Sequence, residues 1–491
     1  MSSIFTNSNP AIEKVFAEAG SPNKVMCIPM DYAKKTHAAL ACNGDGAKLK
    51  KPFNVHNSPE GVQYVLGIAD GLCRKHHIKS EHVIFAGEDC GGFCFNFVHA
   101  LAAKGRLIIG LNAREAAEER ENQIASTDKL DLLGIASLVI YKKRGRTIGA
   151  EHGSATILRR LTHHRNSLVK SRSASAHRTH HLVFQLMPGF LDEEDSGISP
   201  FSQASLWLMS ERFSPKQLHA RPSNVLLRKF RSFQVKNPES TIRKLKHLSE
   251  SVLPPPSSLC ESLQTCLSNE VEVYTAIDSC VNRLTQDIAR TLAPTPGAML
   301  TTVSGVNIVT GAGLYAELGD PSRRQPVHRM ASFAGIVDRL KQTGGPDKAA
   351  RSLGRSRRGN KDVKKLIVDS AIKMGQFGHP EIKSEYSRRD SAGQDVRFTM
   401  ARRMLRIYLR LIDNCDFFLP PSLLKNPSRN LLREYYQQAW TKTLIKWRNA
   451  GAIREAFAPG APLEEWRCML NKLYDLNLSN KSPQAWQLRR K

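Results

Sequence analysis

The chain is short of acid. Only 45 Asp and Glu stand against 72 Lys and Arg in 491 residues, a formal net charge of +27 at pH 7. A surplus of one sign on this scale points to a polyanionic partner, nucleic acid first and an anionic membrane second. No run of about 18 apolar residues occurs, so no membrane-spanning helix is expected. Met1–Gly20 lacks a basic start followed by an apolar core, so no secretory signal is expected either. The ten cysteines include no C-x-x-C pair, and the nearest two, Cys90 and Cys94, are expected to pack rather than bind zinc. A reducing, cytoplasmic setting follows. Hydrophobic residues make up 41%, which excludes wholesale disorder. The length suits roughly two to four domains with cores of their own.

Residues 24–142 read as an α/β unit. Lys24–Met30, Thr36–Cys42 and Leu49–Val55 are strand candidates, with the turn signal Asn43-Gly44-Asp45-Gly46 between the last two. A helix is expected over Pro59–His76, where Val62, Val65, Ile68, Ala69 and Leu72 recur at helical spacing. His82–Ala86 is a fourth strand, Phe93–Lys104 a helix, Leu107–Leu111 a buried strand, and Ala113–Glu121 a helix. A last helix begins at Ser126-Thr127-Asp128-Lys129-Leu130-Asp131, where a hydroxyl can cap the first turn. Three antiparallel strands followed by helix-linked strands is the order of ribonuclease-H-like folds.

In that order Asp31 closes the first strand and Glu88 the fourth, at strand ends where open α/β sheets place their sites. Asp89 competes with Glu88, which is preferred because it directly follows Gly87 at the strand end. Asp128 and Asp131 are three apart and share a helix face. Paired carboxylates repel unless a cation sits between them, and magnesium is a common answer. Acids in a first helical turn also suit the macrodipole without any metal. Four carboxylates can thus meet at one pole of the sheet.

Lys142–His181 carries ten Lys or Arg against the single acid Glu151, and is expected to be either a solvated basic linker or a nucleic-acid-facing segment. Its histidines show no repeated spacing and read as polar surface. Leu182–Lys229 is irregular, Pro254-Pro255-Pro256 is a linker, and Leu259–Leu292 is a long helix with Tyr274, Ile277, Val281, Leu284 and Ile288 at coiled-coil spacing. That run is as compatible with packing inside one chain as with dimerisation. Val303–Thr310 and the apolar stretch to Leu318 resemble a helix-hairpin-helix, whose glycine turn at Gly305 can offer amides to a phosphate. Arg329–Ile336 is a small helix, Gln342–Gly345 a loop, and Lys348–Lys365 carries eight Lys or Arg against Asp362. A helix follows from Lys361 to Met374. Tyr386–Gln394 looks loop-like, and the last hundred or so residues look helical. Trp440, Trp447, Trp466 and Trp486 fall there and are expected in the core.

The joint arrangement resembles the DEDD transposases of bacterial insertion sequences, whose better-understood members are guided by a bridge RNA. The carrying segments are Met30-Asp31-Tyr32-Ala33-Lys34, Gly87-Glu88-Asp89-Cys90-Gly91, Thr127-Asp128-Lys129-Leu130-Asp131, Val303-Ser304-Gly305-Val306, Ala316-Glu317-Leu318-Gly319-Asp320-Pro321-Ser322-Arg323, Ser332-Phe333-Ala334-Gly335-Ile336, Thr343-Gly344-Gly345 and Gly354-Arg355-Ser356-Arg357-Arg358-Gly359-Asn360. The resemblance covers about 24–142 and 299–375. It implies an N-terminal extension (1–23), a RuvC-like domain (24–142), a basic and coiled-coil-like middle (143–298), a mainly helical transposase domain (299–375) and a helical C-terminal extension (376–491). It implies further that Asp31, Glu88, Asp128 and Asp131 hold Mg2+ and act on DNA. Gly305, Lys348, Arg351, Arg355, Arg357, Arg358 and Lys361 would contact nucleic acid. A homo-oligomer, dimer or tetramer, would act in the cytoplasm, at the nucleoid, with a structured guide RNA as partner.

The family's second catalytic element is a serine that forms a covalent link to DNA. The position aligned with it is Thr343, a secondary alcohol crowded by a methyl group. Thr343 as nucleophile, Ser352 or Ser356 in its place, and loss of strand exchange all remain open. Pro29 ahead of the first acid and Asp89-Cys90 after Glu88 also depart from the family pattern. The functional expectation is a metal-dependent transposase-recombinase. The alternatives are a RuvC-like endonuclease without a covalent intermediate and a non-catalytic nucleic-acid-binding relative.

Overall fold

The computed structural model describes residues 8–88, 92–112, 115–116, 119, 128–149, 153–211, 213–319, 325–341, 351–355, 359–391 and 396–479. The chain divides into two units, Met1–Gly153 and Ser154–Lys491.

The first unit holds a six-stranded mixed sheet of order β3-β2-β1-β4-β5-β6. Its strands are β1 (Met26–Asp31), β2 (Thr36–Asn43), β3 (Lys48–His56), β4 (Val83–Glu88), β5 (Leu107–Leu111) and β6 (Arg146–Ile148). The β1–β2–β3 meander is antiparallel, β1, β4 and β5 run parallel, and β6 closes the far edge antiparallel to β5. The first five strands lie where the sequence pattern puts them, within a few residues. β6 lies in the stretch that reads as the start of a basic linker.

β1 is apolar almost throughout because both its faces are covered, the usual state of a central parallel strand. Met26, Ile28, Met30, Val83 and Phe85 face one core, shared with α2 (Pro59–His76) and α3 (Phe95–Ala103). Cys27, Ile84, Ala86, Ile109 and Leu111 face the other, shared with α1 (Pro10–Ala19) and α4 (Asp128–Ile140). Asn9 caps α1 through Ala11 N–H and also donates to the Gly145 carbonyl, so the N-terminal segment packs onto the sheet unit. The exposed edge strand β3 carries Lys48, Lys51 and Pro52, residues that discourage strand addition.

The second unit opens with α5 (Ser154–Leu186), which lies along α10 (Ser257–Leu292). This corrects the linker reading of the basic stretch. From Ser154 on it is a continuous helix, and most of its cations have partners inside the chain. Arg165 Nε donates to Thr285 Oγ1 at 2.7 Å, Arg172 pairs with Asp278, and Arg178 grips both oxygens of Glu270 at 2.8 and 3.0 Å. The coiled-coil spacing of α10 is therefore used, at least in part, within one chain. Between the two long helices, α6 (Gln203–Ser210), α7 (Pro215–Ala220), α8 (Ser223–Ser232) and α9 (Pro238–Ser251) enclose a small core around Phe190, Phe213, Leu226 and Phe230.

A buried 3-10 helix, Pro296–Thr302, leads into α11 (Ile308–Leu318) and α12 (Val327–Phe333). The short hairpin β7 (Asp338–Lys341) and β8 (Arg351–Arg355) follows. Then come α13 (Lys361–Phe377), α14 (Pro380–Ser391), α15 (Val396–Asp413), α16 (Arg429–Asn449) and α17 (Pro462–Tyr474). The stretch from Tyr386 that reads as a loop is helical to Ser391, stapled by Glu385 to Arg389 and Arg403. Trp440 and Trp447 are core, as expected, and Trp466 packs against it. Trp486 is outside the described residues.

Candidate active site

β1 and β4 are parallel neighbours with Met30 opposite Gly87. One step further along each strand stand Asp31 and Glu88. Alternation along the strands puts both on the α1/α4 side of the sheet, since Cys27 and Ala86 face that core. Glu88 is buried and Asp31 half-buried. The close approach of the two strand ends depends on Gly87. A Cβ there would meet the Tyr32 ring at 2.2 Å and the Met30 carbonyl at 2.5 Å.

α4 supplies the other two acids. Its buried stripe is Leu132, Ile135, Ala136 and Val139. Asp128 precedes Leu132 by four residues, and Asp131 precedes Ile135 by four, so both positions extend that stripe. The helix runs against the direction of β1. Just past its C-terminal end, Tyr141 Oη donates to the Asp45 carbonyl in the β2–β3 turn, beside Asn43, which pairs with Met26. The 13 residues of α4 span roughly 20 Å, about the length of β1. Its start therefore lies over the Asp31 end of the sheet. Asp131 is half-buried, whereas the Asp128 side chain lies outside the described residues.

The donor set is all carboxylate, the chemistry a hard divalent cation takes. Among the described residues no group of three or more His, Cys, Asp or Glu stands close enough to hold a metal ion. The fit is thus one of donor chemistry and of fold position. Behind the acids, on the opposite face, His37 is fully buried. Its Nδ1 accepts from the Ala33 N–H at 3.2 Å, and its ring meets Tyr32 and Phe97 edge-on. Burial pulls its pKa below the ordinary histidine value. Sequence reasoning passed over it, since nothing in its local pattern separates it from a strand residue.

The second group of expected site residues belongs to the other unit. Gly305 has φ +82° in the turn before α11. That turn joins a buried 3-10 helix to an α-helix, not two α-helices. The carbonyls of Thr301 and Val303 accept from Lys446 Nζ at 2.5 and 2.9 Å. Lys361 is exposed at the start of α13. Arg351 and Arg355 lie on β8, with side chains outside the described residues. Thr343 and Lys348 fall in the 342–350 connection between β7 and β8, and this connection, like Asp89, Ser356, Arg357 and Arg358, is outside the described residues. Among the described residues no helix is long and apolar enough to cross a membrane.

Comparison with known families agrees with this arrangement. A DEDD transposase model of the IS110 type matches residues 28–188. A second model, of the transposase IS116/IS110/IS902 family, matches residues 297–387. The first match spans the sheet unit and α5 of the second unit, the second match lies wholly in the second unit, and together they cover just over half of the chain. No curated protein matches it. The chain belongs to the IS110-type DEDD transposase family, and its class of activity is that of a transposase acting on DNA.

Proposed function

We propose that this transposase cuts and rejoins DNA through two chemical centres, the acids of the RuvC-like sheet and the hydroxyl of Thr343. The observation that carries the reading is the pairing of Met30 with Gly87, which sets Asp31 and Glu88 at adjacent parallel strand ends beneath the start of α4. The strand order supports a ribonuclease-H-like fold for this unit. Asp31, Glu88, Asp128 and Asp131 would hold Mg2+, which when bound supplies charge stabilisation for phosphoryl transfer. Thr343 Oγ1 attacks a backbone phosphorus. An Oγ1–P bond forms, a P–O bond to deoxyribose breaks, and the hydroxyl proton ends on the released deoxyribose oxygen. The ester link keeps the phosphodiester energy, so the reverse attack can reseal a different strand without ATP. A structured guide RNA and a homo-oligomer complete the proposal, and the net charge of +27 supports a polyanionic partner.

The test uses the full-length protein and nicked duplex DNA in Mg2+. Denaturing gels and peptide mapping of the trapped adduct should locate phosphate on Thr343. Thr343→Ala should abolish the adduct, and Thr343→Ser should keep it. Cleavage by Thr343→Ala at the wild-type rate would replace this mechanism with a hydrolytic endonuclease.

A further inference from the structure

The base of the β7–β8 hairpin is held by a buried ion pair that the chemistry above does not use. Glu317, in the last turn of α11, is 4% exposed. Its Oε1 accepts from Arg159 Nε of α5 at 2.8 Å, and Arg159 Nη2 donates to the Ala316 carbonyl at 2.5 Å. Its Oε2 accepts from Asn360 Nδ2 at 3.1 Å. His163 Nε2 stands 3.5 Å from Glu317 Oε1 and 3.8 Å from Asp362 Oδ2. A carboxylate is costly to bury unless it is paired and hydrogen-bonded, and here both oxygens are engaged.

Asn360 makes three connections at once. Its Oδ1 caps α13, accepting from the N–H groups of Asp362 and Val363 at 3.0 and 3.2 Å. Its own N–H donates to the Phe333 carbonyl at 2.7 Å, and its amide nitrogen reaches Glu317. Beside it, Gly359 has φ +117°, and a Cβ there would come within 2.7 Å of Gly335 N. β7 starts shortly after Gly335, and β8 ends shortly before Gly359. The two feet of the hairpin are therefore fastened to each other at this point, and Glu317 fastens them to α11 and α5.

We propose that Glu317 is a positioning residue for strand transfer. Held by Arg159, it fixes Asn360 and so the base of the hairpin whose 342–350 connection carries Thr343. The inference rests on Thr343 being the nucleophile. A group far from the reacting atoms can matter this much, because a shift of about 1 Å costs on the order of 10²-fold in rate.

The decisive variant is Asn360→Asp. Aspartate caps a helix as well as asparagine does. It offers no amide to Glu317 and sets a second carboxylate against it. The measurements on the full chain are the rate of Thr343 adduct formation at saturating nicked DNA, the DNA dissociation constant, the melting temperature, and amide exchange over 351–355. Expected is a rate lower by roughly 10- to 100-fold, faster exchange on β8, a lowered melting temperature because two carboxylates then face each other in a buried site, and an unchanged dissociation constant. Glu317→Gln should move the same way by less. Wild-type exchange on β8 in Asn360→Asp overturns the proposal whatever the activity. A DNA affinity that falls together with the rate also overturns it, because the loss is then not confined to positioning. If the wild-type protein forms no adduct at Thr343, the nucleophile reading fails, and exchange on β8 still decides whether the clamp exists.

Discussion

Lys446 offers a quantitative test of how the C-terminal extension supports the transposase region. Lys446 is half-buried on α16 and sends its ammonium to the end of the 3-10 helix, and loss of water there pushes its pKa down to about 7 from 10.5. Between those two values the unfolded chain carries a proton that the folded chain does not, so stability rises with pH across the window. At about 1.36 kcal/mol per pH unit the full swing approaches 5 kcal/mol. Its bonds to the Thr301 and Val303 carbonyls favour the charged form and reduce this swing. Over the roughly three pH units from 7 to 10 a swing of up to about 4 kcal/mol is therefore expected. The assay is denaturant unfolding at pH 7, 8.5 and 10, followed by tryptophan fluorescence, since Trp447 is fully buried and bonded to Thr301 in the same corner. Lys446→Met should lose the pH-dependent part and keep any constant offset. A wild-type minus variant difference that stays flat from pH 7 to 10 would refute the reasoning.

Asp31→Asn and Glu88→Gln should each lower DNA cleavage by at least about 10²-fold with circular dichroism unchanged, and chelation of divalent cations should do the same to the wild type; full cleavage in either variant removes the metal-site reading. His37, whose pKa is lowered by burial, makes the first unit acid-sensitive. The unfolded chain takes its proton first, so stability is complete above about pH 6.5 and falls below it as the folded-state pKa is approached. His37→Phe should flatten that fall in pH-dependent melting, and an unchanged profile would count against it. Trp447→Ala should destabilise the second unit by about 3–5 kcal/mol, read in urea unfolding.

The sheet was legible because each strand is a short apolar run closed by a turn signal. Asn43-Gly44-Asp45-Gly46 ends β2, and Gly87-Glu88 ends β4. The strand-end positions of Asp31 and Glu88 were legible for the same reason. α5 was not, because its buried side reads as polar. Thr162, Ser175 and Thr179 lie on it, and their hydroxyls donate to Leu158 and Ser175 carbonyls and to Glu270. A helix that buries serine and threonine against a neighbour shows no apolar period. α14 was missed because Ile382 is its one buried apolar residue among those described and ion pairs do the rest. The Glu317 cluster joins residues 159, 317 and 360, and no local pattern connects positions that far apart in the chain.

The pairing along α5 bears on how tightly this protein should hold nucleic acid as salt rises. Each phosphate neutralised by a free cation adds about 0.9 to the steepness of log affinity against log salt. Arg172 and Arg178 already face carboxylates of α10. Cations that are neutralised inside the chain displace no counterions from a duplex. The measured slope should therefore fall short of what the count of basic residues suggests, and the difference is spent on keeping two long helices in register.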